Sequence, residues 1–119
     1  MQFAILSIDI EGETEMSEKL GVIEDMGGGI KRQILAYNDD AMAVKVWFEK
    51  GAEGYAHTHP HTQIVYCEEG EFNFVIDGKL KVLKAGDSCV INPHVEHGTT
   101  TETGGILIDM FSPMREDFL

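Results

Sequence analysis

The sequence predicts an all-β fold, a sandwich or barrel of short strands in a single domain. Three observations predict it. Short runs of residues alternate between apolar and polar side chains, glycine-rich turns separate these runs, and almost no segment has the spacing of a helix. A chain of 119 residues has room for one hydrophobic core, and a hydrophobic content of 43% makes that core feasible.

The first half of the chain contains one candidate helix and two predicted strands before the histidines. Residues 13–20 could form a short helix, which Gly21 would end. Residues 30–37 form the first predicted strand, directly after three consecutive glycines. Residues 42–49 form the second, because apolar side chains occupy every other position.

A hairpin is predicted in the middle of the chain. Residues 72–76 alternate as a strand, Asp77-Gly78 follows, and Leu80 and Val82 continue the alternation. Asp-Gly is typical of a two-residue turn in which both central positions require positive φ. The sequence therefore predicts two antiparallel strands joined at this turn.

Two further strands are predicted toward the C-terminus. A turn at residues 84–87 precedes a strand at residues 89–91. Another turn, at residues 103–105, precedes the apolar strand of residues 106–111, which Ser112-Pro113 would end because proline cannot donate to a sheet. Short strands with glycine-rich turns throughout are typical of a barrel or sandwich.

Charge and leader composition exclude several classes of function. The 21 acidic and 9 basic residues give a formal charge of -12, which disfavours nucleic acid and anionic membranes as partners. Residues 1–10 lack the basic region of a signal peptide, and no segment is long enough to span a membrane. Cys67 and Cys89 form no CxxC pair, and although a disulfide remains open, we expect buried thiols in the cytoplasm.

A group of histidines predicts a metal site. His57 and His59 are two apart on a predicted strand, so both imidazoles should point to one face. Gln63 begins the next apolar run, and His97 follows the turn after Asn92-Pro93. Together they would form a mixed nitrogen and oxygen site, and imidazole ligands suit several divalent transition metals.

The spacing of these residues resembles that of the cupin superfamily. In this chain Gly51 is followed by five residues, His57-Thr-His59, three residues, Gln63, six residues and Gly70. A second motif, from Gly86 through Pro93 to His97, resembles the second cupin motif, although Asn92 and His94 depart from its usual turn residues. The resemblance implies a double-stranded β-helix, the cupin jelly-roll barrel, and makes His57, His59, Gln63 and His97 the metal ligands.

The ligand set has chemical consequences. Three neutral imidazoles and a neutral amide leave the full double charge on the ion, which favours Lewis-acid chemistry and chelation of a carboxylate. Ligand type does not choose between Ni, Zn, Fe, Mn and Co, so metal identity stays open. His61 and His94 lie near the ligands in sequence, and either a place beside the site or a solvated loop position is open for them.

Three segments resemble the pectin-degradation (KdgF-like) cupins: residues 27–40, residues 51–70 and residues 108–119. This resemblance covers about the last four-fifths of the chain. It divides the chain into an N-terminal extension at residues 1–26, packing on the barrel, and a cupin domain at residues 27–119. Members of that family open the ring of 4,5-unsaturated uronates to linear 4-deoxy-5-keto uronates, in the breakdown of pectin and alginate.

The family resemblance also implies three catalytic residues, namely Asp109, Phe111 and Arg115. Asp109 and Phe111 share one face of the last predicted strand by parity, and an Asp inside an apolar strand is costly unless it has a function or an exposed edge. Arg115 is suited to clamp a uronate carboxylate, because a planar guanidinium matches it. We expect Asp109 to act as general acid and base and Phe111 to pack on the sugar.

The same residues are compatible with other functions. The same metal site could serve an iron-dependent cupin dioxygenase, and a non-catalytic sugar- or metal-binding cupin would not need Asp109. The partner we expect is a small-molecule uronate, with no nucleic acid and no membrane. We also expect a homodimer, because exposed edge strands need cover.

Overall fold

A computed structural model describes residues 17–119. These residues form nine strands: β1 (Ile23–Gly27), β2 (Ile30–Tyr37), β3 (Met42–Phe48), β4 (Glu53–His57), β5 (Thr62–Ile76), β6 (Lys79–Lys84), β7 (Ser88–Ile91), β8 (His97–Thr100) and β9 (Gly105–Ser112). A single 3-10 turn, Glu116–Phe118, follows β9 and is the only helical element of residues 17–119. The prediction of an all-β fold is confirmed.

The strands form one curled antiparallel sheet around the long strand β5. The order along the sheet is β1-β2-β3-β9-β5-β8-β4, and β6 and β7 also pair with β5. The first half of β5 pairs with β9 and β7, whereas its second half pairs with β6 and β8. Strand β5 therefore belongs to both walls of the barrel.

Alternation along the strands places one set of side chains inside the barrel. On β3, Met42, Val44 and Val46 are buried while the residues between them are partly exposed. Two clusters result. One packs around Phe72 on β5. The other packs around Ile34 on β2 and includes Phe111 on β9. The second cluster lies beside the histidines described below.

Most predicted strands are confirmed. Strand β2 has the predicted bounds, and the Asp77-Gly78 turn has positive φ at both residues, 53° and 76°. One prediction is wrong: residues 72–76 are only the end of a strand that begins at Thr62. Gly70, inside that strand, adopts a φ of 87°, which lets the strand bend without ending.

The N-terminal predictions fall partly outside the described residues. Of the candidate helix at residues 13–20, residues 13–16 lie outside them, and residues 17–20 form a turn that ends in a bridge from Leu20 to Ile34. Of the predicted extension at residues 1–26, the last part forms most of β1, which pairs with β2. No helix among residues 17–119 is long and apolar enough to cross a membrane.

Candidate metal centre

Three histidines from two separate parts of the chain lie together at one end of the barrel. His57 is the last residue of β4, and His97 is the first residue of β8. These two strands pair so that His57 lies opposite His97, and their ring centroids are 4.5 Å apart. His59 completes the group, at 5.4 Å from His57 and 4.9 Å from His97. One nitrogen from each ring lies within 4.8 Å of the others.

His59 does not lie on the strand that the sequence predicts for it. Strand β4 ends at His57, and residues 58 and 59 are irregular. The cause is Pro60, which restricts the residue before it and has no N–H for a sheet. A backbone hydrogen bond places His59 instead, because the N–H of His94 donates to the His59 carbonyl over 2.8 Å. The loop of the second motif thus supports a residue of the first.

The hydrogen bonds of the imidazoles leave nitrogen lone pairs for a metal. The Nδ1 atoms of His57 and His97 lie 2.9 Å from the carbonyls of Tyr55 and Val95. Since a carbonyl only accepts, each Nδ1 carries the proton and each Nε2 keeps its lone pair. The Nε2 of His97 is buried and has no partner among the described residues. Such an orphaned acceptor fits a metal ligand.

Burial keeps two of these rings neutral. Desolvation lowers the pKa of His59 to about 4, and it also lowers the pKa of His97. Neutral imidazole is the form that binds a metal. The donor set therefore fits a divalent transition metal, which these three histidines are placed to hold.

Gln63, the fourth predicted ligand, lies against this group. Gln63 is the second residue of β5 and is 6% exposed. Its Oε1 atom lies 2.9 Å from Nε2 of His59. Since an amide oxygen only accepts, His59 Nε2 donates to it, and the Nδ1 of His59 is left buried without a partner among the described residues. The Gln63 oxygen keeps a second lone pair beside the rings. The structure brings all four predicted ligands together.

Asp109 lies on the central strand β9, flanked by Val44 of β3 and Val65 of β5. The sequence left open whether an edge exposes this residue, and the central position removes that alternative. Its Oδ1 atom is buried without a partner among residues 17–119. Burial raises the pKa of Asp109 to about 7, against the opposing effects of the Gln63 side chain and the Arg115 charge. A carboxyl with this pKa can both give and take a proton near neutrality.

Phe111 and Arg115 lie at the same end of the barrel. The Phe111 ring is 5.7 Å from that of His59, and the Arg115 guanidinium lies 5.0 Å from the Phe111 centroid. Arg115 is only 9% exposed. Its charge is close enough to lower the pKa of His59, after desolvation and against the effect of Gln63. All seven predicted site residues therefore lie in one region.

Two residues of this region have no counterpart in the sequence analysis. Asp117 makes a two-point ion pair with Arg115, and the Phe118 ring lies 4.3 Å from the Arg115 guanidinium. A carboxylate two residues after an arginine was the only signal, and it is common in solvated tails. The 3-10 turn Glu116–Phe118 is what folds both side chains back onto Arg115.

The two remaining histidines differ in position. The ring of His61 lies 5.3 Å from that of His59 and 6.2 Å from that of Phe111, so His61 borders the site. Burial lowers the pKa of His61. His94 is exposed and has a φ of 69°, and it acts on the site through its backbone.

Comparison with known proteins gives consistent similarities. The model of the family described as "Cupin domain" matches residues 44–110. Pectin degradation protein KdgF of Dickeya dadantii (strain 3937) is 47% identical over 98 residues, which are 81% of this chain and 89% of that protein. Among solved structures, an RmlC-like cupin from Shewanella frigidimarina has 56% identity and a TM-score of 0.81, with 91% of this chain and 97% of that chain covered. The structure of KdgF from Halomonas sp. has 40% identity and a TM-score of 0.78, covering 82% and 90%.

Proposed function

The chain belongs to the cupin family and, within it, to the family of pectin degradation protein KdgF, and from this premise we propose that it opens the ring of 4,5-unsaturated uronate monosaccharides. The product is a linear 4-deoxy-5-keto uronate. The observation that carries the proposal is the carboxyl of Asp109, whose pKa burial raises to about 7 and which lies close to the Gln63 side chain and to the buried Arg115. The membership also confirms the predicted jelly-roll barrel.

Arg115 and Phe111 suit the substrate. A guanidinium binds a uronate carboxylate through two parallel hydrogen bonds, which a neutral sugar does not offer. The Phe111 ring presents an apolar surface on which the carbon face of a sugar ring can pack. Both groups are partly or fully buried, so their contacts with a ligand are little weakened by water.

Asp109 suits the proton transfer that ring opening requires. As a carboxylate, it takes the proton of the C1 hydroxyl while the bond between C1 and the ring oxygen breaks and a C1 aldehyde forms. As a carboxylic acid, it returns that proton to C4, and the enolate at C5 becomes a ketone. Atoms and electrons balance without an oxidant, and one group with a pKa near 7 can perform both transfers.

His57, His59, His97 and Gln63 would hold a divalent transition metal, with Ni, Zn, Fe, Mn and Co as candidates. When bound, the ion would supply positive charge beside the developing enolate. His57 and His97 act by keeping their protons on Nδ1, and burial keeps His59 and His97 neutral by lowering the pKa of each ring. We place the reaction in the cytoplasm, and the free thiols Cys67 and Cys89 support a reducing compartment.

The decisive experiment mixes metal-loaded protein with monomeric 4,5-unsaturated galacturonate and follows the enol-ether absorbance in the far ultraviolet. We expect a metal-dependent loss of absorbance together with a 2-keto acid. Asp109→Asn and Asp109→Ala should abolish turnover while metal content stays the same. Turnover by either variant would refute the role of Asp109. A rate equal to the spontaneous one in metal-loaded wild type would refute ring opening, and activity that requires oxygen would indicate a dioxygenase.

A further inference from the structure

The guanidinium of Arg115 is held on several sides at once. The carboxylate of Asp117 accepts hydrogen bonds from Nε over 3.0 Å and from Nη2 over 2.8 Å. Two aromatic rings flank the guanidinium, with centroids at 5.0 Å for Phe111 and 4.3 Å for Phe118. An arginine side chain normally loses considerable rotamer entropy on binding a ligand. Here the protein has already fixed its position.

The local fold creates this arrangement. Arg115 precedes the 3-10 turn, and its carbonyl accepts the hydrogen bond from the N–H of Phe118 over 3.0 Å. The turn therefore places the side chains of residues 117 and 118 next to that of residue 115. Phe118 is fixed in turn by Phe111, at 5.6 Å, and by the Arg32 guanidinium, at 4.0 Å.

The ion pair occupies only one edge of the guanidinium. Nε and Nη2 form the edge that Asp117 binds. The adjacent end edge consists of Nη1 and the second hydrogen of Nη2, and within residues 17–119 the side-chain hydrogen bonds of Arg115 involve Nε and Nη2 but not Nη1. Since a guanidinium can form forked pairs on two edges, a second carboxylate can bind while Asp117 remains in place.

We propose that Asp117 is a positioning residue, which holds Arg115 by one edge so that the other edge binds the carboxylate of a uronate. The proposal rests on the proposed function for the identity of the ligand. Asp117 has 60% of its side chain exposed, whereas Arg115 has 11%. The exposed carboxylate therefore acts as an anchor at the surface, and the buried cation serves the site. Asp117 does not touch the reacting atoms.

The opposite role would be competition. If Asp117 occupied the edge that the substrate needs, its removal would strengthen binding. The two roles thus predict changes of opposite sign, which one variant separates. Asp117→Asn keeps the shape and removes the charge. Glu116→Gln is the matched control, because it makes the same charge change on the adjacent, exposed residue.

The test uses metal-loaded protein and two non-reacting probes, galacturonate and its methyl ester, with binding measured by calorimetry. For Asp117→Asn we expect galacturonate to bind about tenfold more weakly, the size of one charge-assisted contact. The methyl ester, which lacks the charge, should bind wild type and variant equally. Glu116→Gln should leave both unchanged, and Asp117→Glu should recover part of the loss. With unsaturated galacturonate, KM should rise in Asp117→Asn more than kcat falls.

Unchanged or tighter binding of galacturonate by Asp117→Asn would overturn the proposal, as would an equal loss for the ester, which would mean a merely structural role. These binding results test the role of Asp117 independently of whether the protein catalyses ring opening. If wild type binds galacturonate in an Asp117-dependent way without turning over the unsaturated sugar, the positioning role stands and the proposed reaction is wrong. If wild type turns over the unsaturated sugar and Asp117→Asn has an unchanged KM, the proposed reaction stands and the positioning role is wrong.

Discussion

At the scale of single residues, burial moves the pKa values of an acidic and a basic side chain in opposite directions. It raises the pKa of Asp109 to about 7 and lowers that of His59 to about 4. Both changes favour the neutral form, because a low-dielectric surrounding disfavours charge. Arg115 is then the principal charge next to the ligands, which suits a site for an anionic sugar.

The pKa of Asp109 makes the stability of the metal-free protein depend on pH. The folded state binds this proton more tightly than the unfolded chain does, whose pKa is about 3.9. Folding stability from this group is therefore full below about pH 4 and falls as pH rises to about 7. The difference in unfolding free energy between wild type and Asp109→Asn should fall by about 4 kcal/mol over that range.

Chelator-treated proteins unfolded with urea at several pH values would measure this difference. The comparison with Asp109→Asn is needed because His59 acts oppositely: its folded pKa of about 4 lies below the unfolded value of about 6.5. Stability from His59 is therefore gained as pH rises through that range. A difference between the two proteins that does not vary with pH would contradict the buried, protonated Asp109.

The ligand role of His97 gives a second prediction for single residues. His97→Ala should lower metal affinity by more than about 100-fold, since loss of even a supporting residue often costs 10–100-fold. Competition with a chromogenic chelator measures the affinity. His94→Ala is the matched control, because His94 is exposed and its backbone N–H remains. Equal losses in the two variants would show that His97 is not a ligand.

At the scale of elements, the two glycines that bracket the first motif have different roles. Both adopt positive φ, 80° at Gly51 and 87° at Gly70. A Cβ at Gly51 would have no atom within 4 Å, whereas a Cβ at Gly70 would overlap the carbonyl oxygen of Gly104 in the turn before β9. Gly51 thus serves a turn, and Gly70 allows two backbones to approach where β5 meets β9.

Alanine at these positions separates the two effects. Gly51→Ala should cost about 1 kcal/mol of unfolding free energy, the usual penalty for positive φ. Gly70→Ala should cost at least about 2 kcal/mol more, because backbone atoms must move as well. Urea unfolding of both variants under the same conditions measures the difference. Similar losses would mean that the turn at Gly104 yields without strain.

At the scale of the whole molecule, the outer face of the sheet remains apolar. Ile64 and Tyr66 on β5 and Val90 on β7 are 43%, 40% and 55% exposed. Ile64 pairs with Val90 in register, so the two side chains share a face. Ile108 and Met110 of β9, opposite Tyr66 and Ile64, extend the same face. A continuous apolar surface of this kind is typical of an interface.

We therefore propose that this face joins two copies of the chain in a homodimer. Wild type should have twice the monomer mass of 13.2 kDa in light scattering after size exclusion. Tyr66→Lys and Val90→Glu should give monomers, because each places a charge in the interface. Leu80→Glu, at an exposed residue of β6, is the control and should remain dimeric. A monomeric wild type would refute the interface.

How far the sequence predicts the molecule depends on the range of the interactions involved. Strand β2 and the Asp77-Gly78 turn follow from alternation and from local φ preference, and both are confirmed. The continuation of β5 through Gly70 does not follow from alternation, because the bend that this glycine allows depends on the close approach of the turn at Gly104. The metal ligands were predicted from motif spacing, whereas the catalytic residues were predicted from the resemblance to the pectin-degradation cupins.

The sequence alone specifies the all-β class and most strand positions, because these depend on neighbours within a few positions. The candidate residues were found through motif spacing and family resemblance. Three features could be seen only once the chain was folded: Asp109 lies on a central strand, a backbone hydrogen bond from His94 places His59, and Asp117 holds Arg115. The first two depend on contacts between distant parts of the chain. The third depends on a short turn that periodicity does not reveal. Long-range packing thus determines burial and pKa, and with them the chemistry that each residue can perform.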